Sequence, residues 1–120
     1  MLKKTLGALR PTRAADDSEL REMLHPDRDA VRCRYSLAHA VVKPGCGSLR
    51  HRLASSEVYY IVAGTGIMHI EDEAEAVHAG DAVSIPERAV QWIENTGKDD
   101  LAFLCIVDPA WRQEDEETLE

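Results

Sequence analysis

From Arg34 onward the chain is a succession of short apolar runs, each cut off by a turn signal. Tyr35 to Lys43 ends at Pro44-Gly45 and Gly47, Leu49 to Leu53 follows, and Glu57 to Val62 closes on Gly64 and Gly66. Ile67 to Ile70 runs into the acidic corner Glu71-Asp72-Glu73, Val77 to Ala79 into Gly80-Asp81, and Ala82 to Ile85 into Pro86. Val90 to Glu94 stops at Asn95-Thr96-Gly97, and Leu101 to Val107 at Asp108-Pro109. Strands this short at such even spacing predict an all-β sandwich or barrel. The β-branched and aromatic stretch Val58-Tyr59-Tyr60-Ile61-Val62 would make a poor helix and a good central strand. Many of the runs are apolar on both faces, as expected where another sheet or subunit covers a barrel wall.

At 120 residues the chain has room for one core and not for two. It divides into an N-terminal arm (1–33) that adds a strand to the barrel, the barrel itself (34–110) and an acidic tail (111–120). Within the arm, Asp16 and Glu19 resemble a helix capping box, yet Leu20, Glu22 and Leu24 alternate as in a strand. A strand is preferred, added to this barrel or to a partner's. The net charge is −8, and half of it lies in the tail, where Arg112 stands against Glu114, Asp115, Glu116, Glu117 and Glu120. That reads as a solvated, frayed end. The basic start (Lys3, Lys4, Arg10, Arg13) is outweighed by the acidic whole, so nucleic acid is not an expected partner. No run approaches the roughly 18 apolar residues of a membrane-spanning helix, and Met1 to Arg13 is too broken for a signal-peptide core. Three cysteines, Cys33, Cys46 and Cys105, with no CxxC pair fit a reducing compartment, so the cytoplasm is expected.

The stretch that carries chemistry begins at Gly45. Five residues separate it from His51; Glu57 follows, and six residues later Gly64. Gly80, five residues, Pro86, Gln91 and Asn95 come next. This resembles the two signature motifs of the cupin family, G-x5-H-x-H-x3,4-E-x6-G and G-x5-P-x-G-x2-H-x3-N. Gly45, His51, Glu57, Gly64, Gly80, Pro86 and Asn95 match in identity and register. The resemblance implies a cupin (double-stranded β-helix, jelly-roll) barrel of the small single-domain kind, near the mannose-6-phosphate-isomerase-like group, and a homodimer.

Strand side chains alternate, so His51 shares a face with Leu53, and Glu57 with Tyr59 and Ile61. If that face is the interior, an imidazole, a carboxyl and an amide converge in an apolar cavity, where they must be paired, metal-bound or hydrated. In the family, the histidines and the glutamate of these motifs commonly bind a divalent metal. Here Leu53 stands at the second histidine, Arg88 at a glycine and Gln91 at the last histidine. The implied ligand set is therefore incomplete: His51, Glu57 and Gln91, expected to hold manganese, iron, nickel or zinc only weakly. Leu53, Tyr59 and His39 are the candidate lining of a substrate pocket, and His39 is also a candidate fourth ligand. His69 is expected to point outward, and His25 and His78 to be surface residues.

Two function classes follow. The chain is either an enzyme acting on a small polar organic molecule with a metal's help, dioxygenase- or isomerase-like with Glu57 as the catalytic residue, or a non-catalytic module that binds a small molecule or sugar with little or no metal.

Overall fold

The computed structural model describes residues 1–119. Eleven strands form two antiparallel sheets: β1 (Thr12–Arg13), β2 (Glu19–Leu24), β3 (Ser36–Val42), β4 (His51–Leu53), β5 (Ser56–Ala63), β6 (Thr65–Ile70), β7 (Glu73–His78), β8 (Ala82–Ile85), β9 (Gln91–Asn95), β10 (Leu101–Asp108) and β11 (Glu116–Thr118). One sheet has the order β1-β2-β3-β10-β5-β8 and the other β11-β4-β9-β6-β7. Two short 3-10 turns are the only helical pieces among the described residues. The all-β fold expected from the strand spacing is what forms, in the two-sheet jelly roll that the cupin resemblance implies.

The alternation of side chains makes the core. Tyr59 and Ile61 of β5, Leu101, Phe103 and Cys105 of β10, Ala40 and Val42 of β3, Met68 of β6, Ile85 of β8 and Ile93 of β9 all bury on the inner face. Tyr59 and Phe103 meet ring to ring at 4.5 Å, a tilted aromatic pair at the centre.

The motif residues prove to be corner residues. Gly45, Gly64 and Gly80 all adopt positive φ, at 76°, 90° and 96°. A Cβ at Gly64 would also sit 2.5 Å from the Asp100 carbonyl oxygen, so that corner excludes every other residue twice over. Arg88, at the position where the cupin motif has glycine, keeps the left-handed conformation (φ 64°) and carries its strain. Asn95 is a clamp: its Nδ2 donates to the carbonyls of Val42 (2.9 Å) and Asp99 (2.8 Å), and its Oδ1 accepts from the Gly97 amide (2.8 Å).

Three sequence expectations change. Glu73 opens strand β7 instead of belonging to an acidic corner; only Val77 on that edge strand is buried, so the strand shows no apolar run. The acidic tail does not fray throughout, because Glu116–Thr118 pairs with β4 as β11. His25 is fully buried instead of lying on the surface. Its Nε2–H donates to the Trp111 carbonyl (2.7 Å), and its Nδ1 accepts from the Asp27 amide (3.1 Å). The ambiguous arm segment is a strand of this chain's own barrel, β2 on β3. Asp16 caps the turn before it, accepting from the Ser18 amide (3.1 Å) and hydroxyl (2.6 Å).

Candidate functional site

Between the sheets lies a cavity of about 440 Å³. β4 brings His51 and Leu53 to it, β5 brings Glu57 and Tyr59, and β10 closes it with Cys105 and Val107. The arm contributes Asp16 and Ser18, and the chain beyond β10 contributes Trp111 and Glu116. None of those four was legible as a site residue, because they lie far from the motifs in sequence.

His51 and Gln91 face each other across the β4–β9 pair. Gln91 lies behind the cavity wall, and its Nε2 donates to Glu57 Oε1 at 3.0 Å. Its Oε1 is buried without a hydrogen-bond partner. His51 donates Nδ1–H to the Leu49 carbonyl (2.8 Å), which leaves Nε2 for other partners. That nitrogen lies 3.7 Å from Asp16 Oδ2.

Glu57 is the most perturbed carboxyl of the site. Burial pushes it up to about 8; the hydrogen bond from Gln91 works against this, and the negative charges of Asp16 and Glu116 add to it. At neutral pH the side chain is therefore mostly the uncharged acid. Burial raises the Tyr59 phenol and the Cys105 thiol well above their usual ranges, so neither is a ready nucleophile or base.

The structure brings together His51, Glu57 and Gln91, with Leu53 and Tyr59 beside them. It does not bring in His39. That residue sits between the inward-facing Ala38 and Ala40, so its ring projects from the outer face of the sheet, beside Arg21 and Leu104. Burial there lowers its basicity, and its Nδ1 has no partner. As expected, His69 is turned outward: it stacks on Trp92 at 4.3 Å and bonds Glu94 at 2.7 Å.

The residues present do not fit a cupin metal centre. Among the described residues no group of three or more His, Cys, Asp or Glu side chains is placed to hold a metal ion. Leu53 puts hydrocarbon where a second imidazole would stand, which leaves His51 as the one imidazole lining the cavity.

Residues 38–107 match the cupin domain, more than half of the chain. The chain belongs to the cupin family. A relative of full length is the uncharacterised protein MJ1618 of Methanocaldococcus jannaschii, 36% identical over 121 residues, covering 100% of this chain and 96% of that one. An oxalate-binding protein of Thermotoga maritima is 37% identical over 51 residues, 42% of each chain. Among solved structures, a predicted oxalate decarboxylase of Thermotoga maritima superposes with a TM-score of 0.79 at 25% identity, covering 91% of this cupin and 99% of that chain. Streptomyces PAC13 with uridine superposes with a TM-score of 0.78 at 19% identity, covering 100% and 92%, which speaks for the fold alone.

Proposed function

We propose that this cupin binds a small polar organic molecule in the cavity between its sheets and needs no resident metal to do so. Leu53 carries the reading, because it lines the cavity where the motif has a second histidine and leaves His51 as the one imidazole there. A neutral Glu57 can donate one hydrogen bond as well as accept, which suits it to a polar ligand or to protonating one. Substituting Glu57 by Gln tests this in chelated protein. Ligand-observed NMR with uridine, the molecule in the PAC13 structure, should show binding weakened about tenfold, the scale of one hydrogen bond between neutral groups. Unchanged binding would remove Glu57 from the site. Retained binding of a turned-over substrate with lost turnover would make this cupin an enzyme.

A metal-assisted enzyme is the second reading, favoured by the cavity-facing Nε2 of His51 and by relatives with oxalate and dioxygenase in their names. It calls for manganese, iron, nickel or zinc at partial occupancy.

We also infer a homodimer. The outer face of the larger sheet exposes Tyr60, Val62 and Ile106, contiguous with Leu104 and with His39, whose Nδ1 is buried without a partner. Light scattering at micromolar concentration should give twice the chain mass, and Ile106→Asp should halve it; a wild-type monomer would contradict the inference. The three unbridged cysteines support a reducing compartment, the cytoplasm. Among the described residues no helix is long and apolar enough to cross a membrane.

A further inference from the structure

The acidic groups around the cavity outnumber the basic ones. Four carboxyl side chains line it: Asp16, Glu22, Glu57 and Glu116. The one cationic side chain in the lining, Arg13, is largely exposed and engaged with Asp17 at 2.6 Å. Glu22 is held by Arg28 outside the cavity, and Glu116 accepts from the Trp111 indole at 2.7 Å. Asp16 has only the Ser18 donors. Its Oδ2 and the Nε2 of His51 confront each other at 3.7 Å, too far for a direct hydrogen bond. Tyr59 supplies an independent sign of a missing partner: it is 2% exposed, lines the cavity, and its hydroxyl makes no hydrogen bond among the described residues.

We propose that the cavity selects a hydrogen-bond-donating ligand without negative charge, a hydroxylated or amino compound, and rejects carboxylates and phosphates. One hydroxyl or amine of that ligand donates to Asp16 beside His51, and a second polar atom reaches the Tyr59 hydroxyl. Asp16 is thereby a specificity-determining residue delivered by the N-terminal arm. An anion would meet uncompensated carboxylate charge in a half-enclosed space of low dielectric, where repulsion is strong. The inference rests on the pocket reading above and adds the ligand class.

Matched pairs that differ in charge test it: uridine against uridine monophosphate, and glucosamine against glucuronate, all by ligand-observed NMR in EDTA so that no metal bridges the acceptors. At least one uncharged or cationic member should bind at millimolar concentration, with its anionic counterpart at least tenfold weaker. Asp16→Asn should weaken the bound member about tenfold or more. Because Asp16 also caps a turn, Tyr59→Phe serves as the second variant, and it should weaken binding while leaving the melting temperature nearly unchanged. Anionic members binding as well as their counterparts would overturn the ligand class and leave the pocket reading standing. Binding indifferent to both variants would overturn the contacts assigned to Asp16 and Tyr59. No binding by any of the four would count against the ligand class and the pocket together.

Discussion

At pH 8 the Glu57→Gln protein should melt roughly 10 °C or more above the wild type, and near pH 4.5 the two should nearly coincide. The reason is linkage. The carboxyl titrates near its ordinary value of 4.5 when exposed and near 8 in the folded chain, where burial disfavours its charge. Between those values the unfolded chain has lost a proton that the folded chain keeps, so folding stability falls as pH rises through this window. The stability is fully present below about 4.5 and gone above about 8, a difference on the order of 4 kcal/mol. In a domain of this size that converts to a shift of roughly 10 °C or more. The amide cannot ionise and can still pair with Gln91. Thermal melts from pH 4.5 to 8.5 in EDTA check this; parallel curves for the two proteins would show that Glu57 is ionised in the folded state.

The second large effect comes from rebuilding the family's ligand set. Leu53 is buried, lines the cavity and shares a face with His51 two residues away, so Leu53→His places a second imidazole beside the first. Without metal the variant should lose about 2 kcal/mol or more, from lost apolar burial and a desolvated ring. With zinc or manganese that loss should be recovered, and affinity should rise about 10–100-fold over wild type. Arg52→His is the control, because Arg52 lies on the outer side of the strand, bonded to Glu117 at 2.8 Å. A gain by the control and none by Leu53→His would contradict the inward placement of His51 and Leu53.

The fold was legible because turns punctuate it. Positive-φ corners favour glycine, and Gly45, Gly64 and Gly80 advertise them in the sequence. Apolar runs mark the strands that face a core. β7 and β11 escaped because edge strands bury little and carry charge freely. At the site, His51, Glu57 and Gln91 were legible through their register in the two cupin motifs. Asp16 and Trp111 were not, since their placement depends on how the arm and the last segment fold back across the barrel mouth. His39 shows the limit of alternation as a guide: it does share a face with Val41, but which face is inner depends on the register with β10 and β2.

The central claim is that this cupin's cavity works without a resident metal. Elemental analysis of protein purified without chelators, repeated after prolonged chelation, tests it most directly. The account predicts metal well below one equivalent per chain, lost on chelation with the fold unchanged. One tightly held equivalent of manganese, iron, nickel or zinc that survives chelation would contradict it.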